Sequence, residues 1–158
     1  MEQKTLAKWL KCIILGIGFC GIIFYALVPV CGDAALDWYP EFANRYWPWV
    51  IFLWITGVPC YVVLVFAWKI AACIGQDRSF SMDNARYFKW ISYVAAGDTL
   101  FFFFGNVLLL LLDMSHPGVM LALMLVVFIG VAVTVASAAL SHLVKKASEL
   151  QEQSDLTI

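Results

Sequence analysis

Apolar residues run through this chain in four long blocks separated by short clusters of charge. The blocks cover about residues 12–30, 47–68, 90–112 and 117–144, and the one Lys, Arg, Asp or Glu inside any of them is Asp98. A helix rises about 1.5 Å per residue, so roughly 20 apolar residues cross the ~30 Å hydrocarbon core of a bilayer. All four blocks are long enough. Backbone polar groups in lipid must be satisfied internally, and runs of this length satisfy theirs as helices. The pattern therefore predicts an all-α integral membrane protein, a four-helix bundle forming a single transmembrane domain over 1–158. Short connections make sequence neighbours antiparallel. Trp9, Tyr46, Trp47, Trp49, Trp68 and Trp90 stand at or near the block ends, where amphipathic aromatics settle among lipid headgroups.

Two segments extend the helical pattern beyond the membrane. Gly75 is a natural stop for the second helix. Ser81 is a good N-cap with Asp83 in the first turn, so a helix over about 81–89 is expected to run straight into the third span. Leu140, Leu143, Ala147 and Leu150 keep a three-four spacing that carries the fourth helix out over about 145–153. Gly57 and Pro59 predict a kink near Thr56, which reads as a transport hinge or as an ordinary membrane-helix bend. Gly130, Thr134, Ser137 and Ser141 share one face of the fourth helix. With Gly16, Gly18 and Gly21 in the first, they are expected to let helices pack closely.

A content of 63% hydrophobic and 13% charged residues excludes a water-soluble domain, and the net charge of −1 gives no nucleic-acid-binding surface. Orientation comes from where the charges lie. Of the 10 Lys and Arg, all but Arg45 fall before the first block, between the second and third, or after the fourth. The positive-inside rule then places both termini and the middle loop in the cytoplasm, and the loops near Asp37 and His116 outside. The first block is expected to be a retained anchor, because Val28, Pro29 and Val30 are a poor signal-peptidase site.

Candidate chemistry is sparse. Cys12, Cys20, Cys31, Cys60 and Cys73 contain no Cys-x-x-Cys pair and read as packing residues. His116 and His142 belong to opposite membrane faces, so no catalytic or metal-binding constellation assembles around them. The chain is expected to be no enzyme and to need no metal or cofactor. Asp98 is the residue that lipid makes conspicuous. About 12 Å from the inner end of its helix, it lies near mid-depth with no Lys or Arg at its level, and is expected to be protonated or to face water. Thr134, Tyr61 and Asn106 are its expected hydrogen-bond partners, with Thr99 beside it. The site reads as a proton- or cation-linked switch, a ligand anchor, or an interhelical bond that fixes packing. In the outer loop, Cys31 to Tyr46, Asp33, Asp37 and Glu41 recur every four residues among aromatics. If helical they could attract a divalent cation or a cationic peptide, or form a solvated face, although Pro40 argues against one helix through all three.

The residues flanking the third and fourth blocks have a family likeness. Phe80-Ser81-Met82-Asp83-Asn84-Ala85, followed by a basic-aromatic stretch and a span, resembles the Phe, Ser or Thr, acid, Asn, Ala signature of a family of small bacterial membrane proteins, domain of unknown function 2975. The ending is similar to that family's closing helix and tail: Ala147, Leu150, Gln151 and Glu152, then Asp155-Leu156-Thr157-Ile158. The four-span layout covers the whole chain. The resemblance implies a multi-pass protein of the bacterial cytoplasmic membrane, and members look paired with a small helix-turn-helix transcription regulator. A sensory or regulatory protein is therefore expected, capturing such a regulator through Phe80, Ser81, Asn84, Arg86, Lys89, Ala147, Leu150, Asp155 and Ile158. The alternative is a small transporter or channel subunit, in which homo-oligomers line a path past Asp98 and Asn106.

Overall fold

The computed structural model describes residues 3–38 and 43–155, without the side chains of residues 35–38, 44 and 155. Four helices account for the architecture: α1 (Gln3–Trp38), α2 (Ala43–Gly75), α3 (Met82–Leu111) and α4 (Pro117–Asp155). Each contains a stretch long and apolar enough to cross a membrane. Large apolar side chains lie outermost, Leu121 at 73% and Phe128 at 71% exposed. In lipid this surface matches its medium, which is why the chain turns so much of it outward.

Neighbouring helices are antiparallel. Along α1 and α2, Tyr46 reaches Pro29, Tyr61 reaches Gly18 and Lys11 lies over Trp68. Phe52 of α2 packs on Gly105 of α3, and further along Phe66 stacks on Trp90. Thr99 of α3 meets Gly130 of α4, and the Ser141 hydroxyl donates to the Ala85 carbonyl at 2.7 Å. Close backbone approach between helices among the described residues joins only chain neighbours, so α1 packs along α2, with Gln3 at its start also touching Ser79 of the α2–α3 turn. The small-residue face of α4 lies on α3: Gly130 admits Thr99, and Ser137 is buried. The core gathers toward the end opposite the termini. There Phe52, Phe102 and Leu109 are packed by Trp49, Leu53, Met114, Leu123 and Val127.

The helices overrun the expected spans, most of all where the sequence suggested a loop over Cys31 to Tyr46. α1 continues to Trp38 and α2 begins at Ala43. Asp33 and Asp37 therefore stand one helical turn apart on α1, the Asp37 side chain and all of Glu41 lying outside the described residues. Pro29 does not end α1. Proline leaves the carbonyl four residues back without its donor, here that of Tyr25, and the Trp54 indole of α2 supplies one at 3.2 Å. α2 is likewise one continuous helix through Gly57 and Pro59, where a kink near Thr56 was expected. At that point the Thr56 hydroxyl donates to the Leu53 carbonyl at 2.8 Å, the kind of back-bond that bends a helix without breaking it.

Tight turns close both ends of the α2–α3–α4 hairpins. After α2, the Arg78 amide returns to the Cys73 carbonyl at 3.0 Å, and Asp77 takes the left-handed conformation at φ 58. After α3, the Met114 amide returns to the Leu109 carbonyl at 2.9 Å, with Asp113 at φ 55. Aspartate tolerates this region better than most residues. The left-handed position thus falls on Asp77, two residues beyond the Gly75 that ends the helix.

Candidate functional site

The signature around residue 80 folds into a rigid corner. Ser81 caps α3 from extended backbone (φ −120, ψ 153), its hydroxyl accepting from the Asn84 amide at 3.3 Å. Arg78 and Asp83 pair at 2.8 Å, though both are half exposed and such a pair is worth under about 1 kcal/mol. Asn84 does more. Only 1% exposed, it donates from Nδ2 to the Ser79 carbonyl at 2.9 Å and the Arg78 carbonyl at 3.4 Å, tying the turn to the helix that follows it. Ala85 is buried, and its carbonyl accepts from Ser141 of α4. From α1, the Gln3 carboxamide lies 2.9 Å from Ser79 Oγ, and its nitrogen, turned to the turn, reaches the Ile74 carbonyl at 3.2 Å and Asp77 Oδ1 at 3.3 Å.

Two expected outcomes follow from this geometry. Ser81→Ala costs about 1 kcal/mol through the lost cap, seen as a small drop in the unfolding midpoint. Asn84→Ala strips two turn carbonyls of their donor at about 1–3 kcal/mol, and the measurement is proteolytic nicking of the 76–81 turn in detergent or nanodiscs. Unchanged nicking in the Asn84 variant would remove its clamp role.

Beside this corner opens a cavity of about 640 Å³, bordered by Gln3, Arg78, Phe80, Met82, Ser148 and Glu152. Phe80 is 60% and Met82 45% exposed, unusual for apolar residues beyond the spanning segments. Of the docking residues expected from sequence, Phe80, Arg86, Lys89 and Leu150 are exposed and Ala147 is half-buried. Ser81 and Asn84 point into the corner, and position its surface instead of presenting one. The Asp155 side chain and Ile158 lie outside the described residues. Lys89 lies over the Tyr93 ring, and Lys69 lies over Phe66 and Tyr87. They make a basic-aromatic belt, with the ammonium groups over the rings. Met82, Arg78, Gln3, Ser148 and Glu152 complete the rim. Met82 belongs to the sequence signature, but the others are joined to it only by the turn that the fold supplies.

A second polar site crosses three helices near mid-membrane. Asp98 of α3 is half-buried; its Oδ2 accepts from the Cys60 thiol of α2 at 3.9 Å, and its Oδ1 is enclosed with no hydrogen-bond partner. The Tyr25 hydroxyl of α1 faces Thr56, Cys60 and Asp98. Tyr25 gets there because residue 57 is glycine: a Cβ at Gly57 would stand 2.8 Å from the Tyr25 ring.

The partners expected for Asp98 make their bonds elsewhere. Tyr61 donates to the Gly18 carbonyl at 2.8 Å, Thr134 to the Gly130 carbonyl at 2.9 Å, and Thr99 to the Ala95 carbonyl at 2.7 Å. Asn106 donates to the Phe102 carbonyl at 2.7 Å, and its Oδ1 is buried without a partner. A hydroxyl in a helix finds its own backbone carbonyl within reach, and that local bond has won at Thr134 and Thr99. Cys60 was legible by depth, standing eight residues before Trp68 as Asp98 stands eight after Trp90. Tyr25 was not, because its approach depends on how α1 seats on Gly57.

No group of three metal-ligating side chains occurs among the described residues. All five cysteines are free thiols. His116 accepts from the Gly118 amide at 3.1 Å in the α3–α4 turn, while His142 is exposed near the far end of α4.

Four antiparallel apolar helices define a polytopic membrane protein. The chain matches the family described as protein of unknown function DUF2975 over residues 31–158, and it belongs to that family. It is also similar to the uncharacterized membrane protein YoaS of Bacillus subtilis (strain 168), with 26% identity over 159 residues covering 99% of each chain. No solved structure matches it.

Proposed function

We propose that this chain is a regulatory protein of the bacterial cytoplasmic membrane that docks a small helix-turn-helix transcription regulator at the 640 Å³ groove beside the α2–α3 turn. The observation that carries the reading is a pair of exposed apolar side chains, Phe80 and Met82, on a turn immobilised by Gln3, Ser81 and Asn84. Aromatic and Met side chains on a preorganised surface are the usual anchors of protein interfaces, with a polar rim around them. Glu152 and the Arg78–Asp83 pair supply such a rim. The basic residues near this end support a cytoplasmic position for it by the positive-inside rule. The identity of the partner rests on the family resemblance, and the bacterial membrane on that and on the Bacillus relative. In this reading the protein is no enzyme. Co-purification of the tagged protein in mild detergent with a regulator encoded beside it is the test; no association, with the membrane protein intact, would count against docking.

A second reading, a small transporter or channel subunit assembled from copies of the chain, is favoured by one observation. Asp98 Oδ1 and Asn106 Oδ1 both lack partners inside the membrane, and an unpartnered polar atom at that depth is a common mark of an ion or substrate pathway. Proteoliposome flux abolished by Asp98→Asn supports it, and absence of flux for protons and small cations removes it.

A further inference from the structure

An unpartnered carboxylate oxygen in hydrocarbon is costly, so a side chain built this way must gain something that completes it. Asp98 offers one acceptor to Cys60 and leaves the other enclosed and empty-handed. The titratable groups facing it are Tyr25 from α1 and Cys60 from α2, with Tyr61 beside Tyr25. α4 brings none, since residues 118–141 contain no ionisable side chain. A cation would find one carboxylate, one thiol and one phenol here, and no group of three metal-ligating side chains occurs among the described residues. A proton needs only the free oxygen.

We propose that Asp98, Cys60 and Tyr25 form a proton-binding site through which the seat of α1 on α2 responds to the state of the carboxyl group on α3. In the charged state Asp98 accepts from the Cys60 thiol, leaving Cys60 Sγ to accept from the Tyr25 hydroxyl. When a hydronium ion delivers a proton to Oδ1, one of its O–H bonds breaks, an O–H bond forms on the carboxyl and a water molecule leaves; the neutral carboxyl is then a weaker acceptor at Oδ2 for the Cys60 thiol. The Cys60 thiol proton and the Tyr25 hydroxyl then turn away from their former acceptors, and Thr56 is the neighbour on which Tyr25 can rest. Because α2 is the helix along which α1 packs among the described residues, Tyr25 over Gly57 and the Trp54 bond to the Tyr25 carbonyl are much of its grip at this level. α1 runs from there to Gln3, which touches the turn beside the groove. The transmission to a docked regulator rests on the proposed function; the proton site does not.

Infrared pH-difference spectra of the full-length protein in phosphatidylcholine vesicles test the site without any partner. The expected result is a carboxylic-acid C=O band that disappears reversibly as pH rises and is missing in Asp98→Asn. Cys60→Ala and Tyr25→Phe are each expected to move its midpoint by on the order of one pH unit, tenfold in proton affinity. If Asp98→Asn does not fold, these two variants decide alone. A band absent at every pH, a band unchanged across the range in which the protein stays folded, or a midpoint unmoved in both variants overturns the site. Regulator binding that varies with pH in the wild type and loses that variation in Tyr25→Phe supports the transmission. Binding indifferent to pH, beside an intact infrared titration, removes the transmission and leaves both the site and the docking standing.

Discussion

Phe80→Glu combined with Met82→Glu is expected to weaken regulator binding by about 30-fold or more while leaving the fold intact. Central apolar anchors of an interface cost about 2 kcal/mol or more when removed, and each 1.4 kcal/mol is about tenfold. Both side chains are largely exposed, so charge at these positions is solvated in the free protein. In a complex it would be desolvated, with Asp83 and Glu152 nearby to add repulsion. Neither residue supports the corner. Ser81, Asn84 and Gln3 do, and all three are retained in the variant. Titration of purified regulator against nanodisc-embedded protein measures the loss, and circular dichroism shows that helicity is kept. Affinity equal to wild type would mean that the regulator, if it binds, uses another surface.

Gly105→Leu is expected to be the most damaging single change in the membrane region. The Phe52 ring lies directly against Gly105, in the space a Cβ would need, and Phe52 is itself stacked on Phe102 with ring centroids 5.5 Å apart. Overpacking a filled core costs about 1–3 kcal/mol, and a branched side chain facing a ring pinned by a second ring falls at the upper end. Gly97→Leu is the internal control. It lies on the same helix with nothing within 4 Å of its Cβ position, and leucine is the better helix former by about 0.8 kcal/mol. Detergent unfolding followed by circular dichroism should show the Gly105 variant losing midpoint and the Gly97 variant holding or gaining. Equal behaviour would mean that Phe52 moves aside freely and that this core is not close-packed.

The large features of the fold were legible in sequence because lipid simplifies the code. Block length dictates crossing helices, and short connections dictate antiparallel neighbours. The local chemistry of Ser81 and Asp83 could be read for the same reason that caps are readable anywhere, namely that partner and donor lie within one turn. The helical run from Cys31 to Trp38 was hidden because the apolar block ends at Val30 and acidic residues follow, with Pro40 arguing against one helix through them; in the structure α1 passes Pro29 unbroken, with Trp54, a residue 25 positions away, bonded to the Tyr25 carbonyl. Asp98 announced itself by cost alone, but its partners did not. Depth narrows the choice to a few residues, and the choice among them turns on which hydroxyls are already satisfied by their own helix. Thr134 and Thr99 are so satisfied. The role of Asn84 was hidden differently. In sequence it looks like a surface residue of a recognition segment, whereas it is buried and its Nδ2 donates to the carbonyls of the preceding turn.

The groove can serve a cytoplasmic regulator only if it opens on the cytoplasm. Ser148 borders it and can carry a single probe once the five native cysteines are replaced. Ser148→Cys in that background is expected to react with a membrane-impermeant maleimide in inverted vesicles and to stay unlabelled in intact cells. Labelling in intact cells would put the groove on the outer side and contradict cytoplasmic docking.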